Sequence, residues 1–359
     1  MSKEFLKLPG LGDLHVHLRG MGQDNKEDFH SGTSAALAGG FVLIDDKPNK
    51  LKPIFTLENL VEEIEIAQSK IVCDVGFDFG TDGKNLDEFP RITKDTNRLK
   101  VFLNETTGNL KLDNPELLLP KIYTAWPDSG LILLHAENDM VRLALEVIEN
   151  NPKRTHFHHI STKRDFEPII EAKKKGMPVT CGLTPHHLFL TKDDIGRLGP
   201  FGYMKPELAT QEDVEFLWRN LSYVDVIETD HAPHTVEEKL SEKPPSGVPG
   251  LETALPLMLT AVAEGKLTLK RLVELMSINP QKIMGIKIPD STYTIVELGK
   301  KYNIKNEGLK TKCGWTPFAG KEVRGKVKEV YIRGQKVFED GEVLAKTGTG
   351  RIIFSNKNE

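Results

Sequence analysis

Apolar segments with the length of strands alternate with helical segments along most of this 359-residue chain. The predicted strands are residues 12–19, 41–44, 71–79, 98–103, 131–134, 155–160, 178–183 and 224–229. Helical patterns separate them over residues 31–38, 57–69, 115–126, 140–149 and 165–175. Eight strands that alternate with helices within about 230 residues indicate an α/β fold, a (β/α)8 TIM-type barrel rather than an open doubly wound sheet.

The chain changes character beyond the eighth predicted strand. Helices are predicted over residues 251–263 and 268–277, and apolar residues alternate between residues 323 and 337. Arg333-Gly334 and Asp340-Gly341 are typical of tight turns between paired strands. The last part of the chain is therefore predicted to form a small β appendage.

The length and the 38% hydrophobic content are enough to bury a substantial core. We predict two parts within the chain. Residues 8–290 form the barrel, and residues 291–359 form a C-terminal extension whose small β appendage packs on that barrel.

Composition excludes several classes of partner. The 52 acidic and 48 basic residues are well mixed and give a net charge of −4, so no basic stripe is available for nucleic acid. No apolar run approaches 18 residues, and Met1-Ser2-Lys3-Glu4-Phe5 lacks a signal-peptide core, so we expect no membrane association and a cytoplasmic location. Cys73, Cys181 and Cys313 are far apart and are expected to be reduced thiols.

Histidines cluster at the ends of the predicted strands. Alternate positions of a strand share a face, so His15, His17 and Arg19 are expected to point together. Ten of the 11 histidines lie at strand ends. Besides His15 and His17, these are His135, His156, His158, His159, His186, His187, His231 and His234. The carboxyl ends of barrel strands meet on one face, so this pattern predicts a metal site, with Arg19 further out for an anionic group of a substrate.

Several motifs resemble the signature of dihydroorotases, which belong to the amidohydrolase superfamily. They are His15-Val16-His17-Leu18-Arg19, Lys100-Val101-Phe102-Leu103-Asn104-Glu105-Thr106, Thr184-Pro185-His186-His187-Leu188-Phe189-Leu190 and Asp230-His231-Ala232-Pro233-His234. The similarity runs over residues 8–343 and includes Pro249-Gly250-Leu251-Glu252-Thr253 and Trp315-Thr316-Pro317-Phe318. The chain most resembles the dihydroorotase domain of the animal trifunctional pyrimidine-synthesis protein.

The resemblance implies a binuclear zinc centre. The implied ligands are His15, His17 and Asp230 for one Zn²⁺, and His135 and His159 for the second. Lys100 is implied to bridge the ions as an N6-carboxylated lysine, because a neutral amine can add CO2 and become anionic, whereas a protonated amine would repel two cations. In this family the ions share a hydroxide as nucleophile, and Asp230 is implied as general base in hydrolysis and general acid in ring closure.

The same resemblance implies a reversible reaction of de novo pyrimidine (UMP) biosynthesis, in which N-carbamoyl-L-aspartate closes to L-dihydroorotate and water. The residues implied in substrate binding are Arg19, Asn49, Thr106, His234 and Gly247. Arg19, Asn49 and His234 offer hydrogen-bond donors for the α-carboxylate, and Thr106 belongs to a loop that closes over substrate in this family. A homodimer and an association with aspartate transcarbamoylase are also expected.

A few positions depart from the family pattern. Lys47 and Lys50 are predicted to add two cations beside the carboxylate site. Lys205 stands where the animal domain has arginine, a change that keeps the charge and loses the planar fork. Gly182 stands where that domain has a glutamate ligand for an additional metal, so a third metal beside His158 is not expected.

Two other functions remain open at this point. Another cyclic-amide hydrolase, such as a hydantoinase, would share the metal ligands but would not need Arg19, Asn49 and His234 for a carboxylate. An inactive dihydroorotase-like scaffold for aspartate transcarbamoylase would typically have lost ligands, and none is missing from this sequence.

Overall fold

The computed structural model describes residues 4–93, 95–106, 108, 110–299 and 301–354. The strands are β1 (Phe5–Pro9), β2 (Leu11–Val16), β3 (Phe41–Asp46), β4 (Asp74–Phe77), β5 (Phe79–Gly80), β6 (Arg98–Phe102), β7 (Leu131–His135), β8 (Thr155–Phe157), β9 (Val179–Leu183), β10 (Val226–Ile227), β11 (Tyr293–Glu297), β12 (Tyr302–Asn303), β13 (Glu322–Val323), β14 (Lys326–Ile332), β15 (Gln335–Glu339) and β16 (Glu342–Val343). The helices are α1 (Phe29–Ala38), α2 (Leu57–Gln68), α3 (Phe89–Ile92), α4 (Pro115–Ala125), α5 (Asp139–Asn150), α6 (Lys163–Lys174), α7 (Pro185–Phe189), α8 (Ile195–Leu198), α9 (Gln211–Arg219), α10 (Val236–Lys239), α11 (Leu251–Ala263), α12 (Leu269–Val273) and α13 (Asn279–Met284).

Strands β2 to β10 form a closed parallel barrel in chain order. One ladder runs β2-β3-β4 and a second runs from β5 to β10, while Asp78 alone separates β4 from β5. The barrel closes where Val16 pairs in parallel with His231, and where the His17 N–H donates to the His231 carbonyl over 2.8 Å. The predicted (β/α)8 barrel is confirmed.

The barrel strands are apolar because both of their faces are covered. Every residue of β6 and β7 is buried, as expected of parallel strands that have helices on one side and a packed interior on the other. Threonine caps then start helices close to the strand ends. Thr162 accepts a hydrogen bond from the Asp165 N–H at the start of α6, and Thr184 accepts one from the His187 N–H at the start of α7.

The C-terminal strands pair as the sequence predicted. Strands β14, β15 and β16 are antiparallel neighbours in a five-stranded sheet of order β1-β11-β14-β15-β16. Their two turns have positive φ at both central residues: 52° and 79° at Arg333 and Gly334, and 48° and 96° at Asp340 and Gly341. Strand β1 joins this sheet by pairing with β11, from the opposite end of the chain. The division at residues 290 and 291 stays a prediction.

Strands β8 and β10 are shorter than predicted, and two further elements also differ from the sequence-based prediction. The first predicted strand ends at Val16, because the Leu18 N–H donates to Asp46 Oδ1 over 2.9 Å and Arg19 turns the backbone with φ of 59°. The predicted helix 268–277 contains a π-helical turn, Glu274–Ile278. This wider turn lies just before Pro280, whose ring would clash with the carbonyl four residues earlier in a regular helix.

Within the described ranges, the longest helices stay well short of a bilayer's thickness, and none has the length and apolar character to cross a membrane.

Candidate metal centre and substrate pocket

The two histidines of the first barrel strand converge on one carboxylate. His15 lies on β2, and His17 follows the strand end. The Nε2 atoms of His15 and His17 lie 3.4 and 3.0 Å from Asp230 Oδ1. Potential ligand atoms of these three buried residues all lie within 4.8 Å of one another, a spacing that fits a single metal ion.

A second pair of histidines lies beside this group. His135 ends β7, and His159 follows β8 with a positive φ of 39°. His135 Nδ1 and His159 Nε2 are 3.1 Å apart, and the ring centroids of His15 and His159 are 5.0 Å apart. The structure therefore brings together the two ligand sets that the sequence implied.

Lys100 lies on β6 and is fully buried. Its Nζ has no hydrogen-bond partner among the described residues, although a buried amine normally has one. Burial, assisted by the positive charge of Lys47, lowers the pKa of Lys100 to about 7. The amine is thus substantially neutral at neutral pH, the state that can add CO2 and become an anionic bridge.

The protonation states suit divalent metals. Burial lowers the pKa of the imidazoles of His15, His17 and His159 well below the usual value, so these rings are neutral and keep a lone pair for a cation. Burial also raises the pKa of the Asp230 carboxyl to about 7. Neutral imidazoles, the Asp230 carboxyl oxygens and a lysine amine without a hydrogen-bond partner in the described part of the chain together fit a binuclear centre.

A pocket with an empty volume of about 380 Å³ opens onto these residues. Its lining consists of His15, His17, Arg19, Asn49, Phe102, Thr106, His135, His159, Lys205, Asp230, Ala232, Ser246 and Gly247. The predicted substrate-binding residues Arg19, Asn49, Thr106 and Gly247 are therefore on its wall. Gly247 fits there because a Cβ would lie 2.6 Å from the Ala232 carbonyl and because its φ is 137°.

Arg19 reaches the pocket from a loop and not from the strand that the sequence predicted. Its Nε–H donates to the Pro233 carbonyl over 3.1 Å, and its Nη2 lies 3.1 Å from His234 Nε2. Burial, together with the charge of Arg19, lowers the pKa of His234 to about 2, so this ring is neutral. Among the described residues, His234 contacts Arg19 and does not itself line the cavity.

Two comparisons with curated proteins identify the family. The multifunctional protein CAD of Squalus acanthias is 42% identical over 353 residues, which are 98% of this chain and 16% of that protein. The dihydroorotase of Pyrococcus furiosus is 35% identical over an alignment of 370 positions, which covers 98% of this chain and 86% of that protein. The chain belongs to the dihydroorotase family. It spans about 16% of the length of the multifunctional relative.

Solved structures with the same fold include a hydantoinase and an inactive relative of dihydroorotases. The L-hydantoinase (dihydropyrimidinase) of Arthrobacter aurescens has a TM-score of 0.91 at 26% identity, over 98% of this chain and 88% of that one. The inactive dihydroorotase-like domain of a Chaetomium thermophilum CAD-like multifunctional protein has a TM-score of 0.84 at 25% identity, over 98% and 99%. No protein-family model matches the chain.

Membership in the dihydroorotase family agrees with the metal-binding groups described above, because that family is metal-dependent. One contact at these groups was not predicted. The His17 Nδ1–H donates to Asn49 Oδ1 over 2.7 Å, which leaves His17 Nε2 free to bind a cation. Asn49 therefore orients a proposed ligand and also lines the pocket of this dihydroorotase-family chain. Its contact with His17 could not be found from the sequence, because it forms only in the folded protein.

The prediction that Lys47 and Lys50 add positive charge to the pocket is wrong. Lys47 Nζ is fully buried and pairs with Asp78 and Asp45, and Lys50 Nζ pairs with Asp46. Neither lysine is among the described residues that line the cavity. Their side chains point away from the pocket because ion pairs with buried carboxylates stabilise the two ammonium groups.

Proposed function

We propose that this chain is a binuclear zinc dihydroorotase, which interconverts N-carbamoyl-L-aspartate and L-dihydroorotate plus water in pyrimidine biosynthesis. One observation carries the proposal. Two sets of potential metal ligands line a pocket that Arg19 also lines, and the buried Lys100 amine, which has no hydrogen-bond partner among the described residues, lies close enough to shift the pKa of His15, His159 and Asp230. The names of the relatives, which include dihydroorotases at 35% identity over most of their length, support the same activity.

The metal ligands in this proposal are His15, His17 and Asp230 for one zinc ion and His135 and His159 for the other. Lys100, once carboxylated, would be held between the two sets and would supply the anionic charge that two dications require. A pair of zinc ions, when bound, contributes Lewis acidity that lowers the pKa of water and polarises an amide carbonyl.

Asp230 is the residue that moves the proton. In hydrolysis it takes a proton from the attacking water and passes it to the departing ring nitrogen. In ring closure it takes the proton of the attacking ureido nitrogen and passes it to the leaving oxygen. General acid–base catalysts work best when their pKa lies near the ambient pH, and burial moves the pKa of Asp230 in that direction.

Substrate orientation falls to Arg19. Its guanidinium can donate two parallel hydrogen bonds to the α-carboxylate, and His234 and the Pro233 carbonyl fix its plane. Asn49, Thr106 and Gly247 complete the wall on which the substrate lies.

The main alternative is a hydantoinase-like cyclic-amide hydrolase, which the fold similarity to the Arthrobacter aurescens enzyme would equally allow. The buried Arg19 favours a substrate with a carboxylate, since a neutral ring such as hydantoin would leave the guanidinium unpaired. An inactive scaffold is disfavoured because every proposed metal ligand is present and converges.

Substrate turnover by the zinc-loaded protein tests the proposal. We expect rapid hydrolysis of L-dihydroorotate, followed by absorbance, and about two zinc ions per chain. Arg19→Lys should raise KM for dihydroorotate strongly and leave the slow turnover of dihydrouracil and the zinc content unchanged. Preferential turnover of hydantoin or dihydrouracil by the unmodified protein would favour the alternative, and a metal-loaded protein without any turnover would favour the scaffold.

Assembly belongs to the same proposal. We expect a homodimer located in the cytoplasm, which also associates with aspartate transcarbamoylase. Light scattering of the purified chain, alone and mixed with that transcarbamoylase, tests both interactions.

A further inference from the structure

Glu228 is a fully buried carboxylate between β10 and Asp230, and the sequence analysis gave it no role. Its Oε1 accepts a hydrogen bond from the His159 backbone N–H over 2.6 Å. Its Oε2 accepts one from His158 Nδ1–H over 2.7 Å. Both oxygens of the carboxylate are therefore directed at the segment that carries a proposed zinc ligand.

That segment needs such support because its backbone is strained. His159 has a φ of 39°, in the left-handed region that residues with a Cβ seldom adopt. The preceding His158 N–H donates to the Leu134 carbonyl, and the following Ile160 N–H donates to the Gly182 carbonyl. The turn thus takes the His159 N–H out of the regular ladder, and Glu228 provides its acceptor.

The neighbouring strand makes room for this carboxylate. Gly182 lies on β9, and a Cβ added there would be 2.4 Å from Glu228 Oε1 and 2.5 Å from its carboxyl carbon. Any larger residue at position 182 would displace the glutamate from the His159 amide. Gly182 and Glu228 therefore form a complementary pair across adjacent strands.

We infer that Glu228, accommodated by Gly182, is a positioning residue that holds His159 in the orientation needed for the second metal ion. This inference rests on the proposed function, because it takes His159 as a ligand. His159 Nε2 lies only 3.1 Å from His135 Nδ1, so a small rotation of the 158–160 segment would separate the two donors. Loss of such a supporting partner typically weakens metal binding about 10–100-fold.

Glu228 could instead be a ligand of an additional metal, since ligand atoms of His15, His158 and Glu228 also lie within 4.8 Å of one another. Its hydrogen bonds argue against this role. Both Glu228 oxygens already accept hydrogen bonds from N–H groups. On the His158 ring, Nδ1 is the nitrogen that donates to this carboxylate. The positioning role therefore predicts two metal ions per chain and not three.

Metal titrations of four variants test the inference. Glu228→Ala removes both acceptors, and Glu228→Gln keeps one carbonyl oxygen but turns an NH2 group toward one of the N–H donors. Gly182→Ala keeps the glutamate and fills its space. The control is Glu252→Ala, because Glu252 is a half-buried carboxylate that also accepts backbone N–H groups, those of Lys310 and Thr311.

Each apo-protein is titrated with Co²⁺ against a competing chelator, and the visible spectrum of the bound cobalt is recorded. We expect the second equivalent to bind about 10–100-fold more weakly in Glu228→Ala and Gly182→Ala, less so in Glu228→Gln, with an altered second-site spectrum. Glu252→Ala should lower the midpoint of thermal unfolding and leave both affinities unchanged, which separates positioning from general stability.

The positioning role would be overturned if Gly182→Ala and either Glu228 variant kept the second-site affinity unchanged. The proposed function would still stand, provided that the unmodified protein bound two ions and hydrolysed dihydroorotate. If the unmodified protein bound a third equivalent of Co²⁺ and Glu228→Ala did not, the positioning role would also be overturned, in favour of a ligand role for Glu228. An unmodified protein that binds no metal would refute the proposed function and this inference together.

Discussion

Asp230 joins two properties that seldom coincide in one side chain. It lies within 3.4 Å of both His15 Nε2 and His17 Nε2, and it is buried enough for its pKa to rise to about 7. The first property fits a metal ligand, and the second moves the carboxyl toward the range in which it could exchange a proton near neutral pH. An aspartate in water, with a pKa near 4, would be a poor acid for ring closure.

The replacement Asp230→Asn separates these two roles. An amide oxygen can still approach a metal ion, but the amide cannot carry the proton. We expect turnover to fall about 10²–10⁴-fold in both directions, by more than any loss of zinc accounts for. Rates are measured on protein whose zinc content is determined in the same sample, and near-normal rates at full zinc content would remove Asp230 from proton transfer.

Lys100 permits a sharper test, because its proposed charge is opposite to that of an ordinary lysine. Lys100→Ala should deplete the second zinc ion and abolish most activity while the barrel still folds. A short carboxylate such as propionate should restore part of the turnover by occupying the bridge as an anion. An amine of similar size is the control and should restore nothing; full activity and two zinc ions without any additive would mean that another residue forms the bridge.

At the level of whole elements, the sequence pattern predicts strands better than loops. The short apolar run before His135 favours a buried strand, so the position of that histidine at the rim follows from the alternation of strands and helices. The orientation of Arg19 does not follow, because it depends on a left-handed φ and on contacts with the distant Pro233. The pairing of Asn49 with His17 escapes prediction for the same reason: it forms only after folding.

The extension beyond the barrel also supports residues around the pocket. The Lys312 N–H donates to Glu27, which follows the first barrel strand, over 3.1 Å. Nearby, the indole N–H of buried Trp315 donates to the backbone carbonyl of His234 over 2.8 Å. This segment therefore holds the loop that fixes Arg19, a connection across about 80 residues of sequence that no local pattern indicates.

Trp315→Phe should weaken substrate binding and leave the metals in place. The phenyl ring keeps much of the packing but leaves the His234 carbonyl without its donor, and an unsatisfied buried acceptor costs about 1–3 kcal/mol. We expect a several-fold rise in KM for dihydroorotate at unchanged zinc content. The matched control is Trp218→Phe, because the Trp218 indole N–H donates over the same 2.8 Å to the Leu188 carbonyl; an equal effect of both variants would show that the loss is general.

Across the whole molecule, the proposed ligands come from two groups of barrel strands, β6 to β8 and the closing pair β10 and β2. His15 lies on β2, Lys100 on β6 and His135 on β7, while His159 and Asp230 follow β8 and β10. Each strand that contributes a ligand is thus tied to the strands opposite it when metal binds. A ligand that binds only the folded state stabilises it by mass action, so the centre should stabilise the entire barrel.

Removal of the metal should therefore lower the midpoint of thermal unfolding by several degrees, since zinc at 100 times its dissociation constant contributes about 2.7 kcal/mol. This difference should narrow as the pH falls from 8 to 6. The pKa of Asp230 is about 7 in the folded metal-free protein and near 3.8 when unfolded, so its protonation stabilises the metal-free fold below pH 7 while it opposes metal binding. Calorimetry measures the midpoint of thermal unfolding of the zinc-loaded and of the chelator-treated protein as a function of pH across this range. A difference that stays constant or widens toward pH 6 would show that Asp230 does not bind the metal.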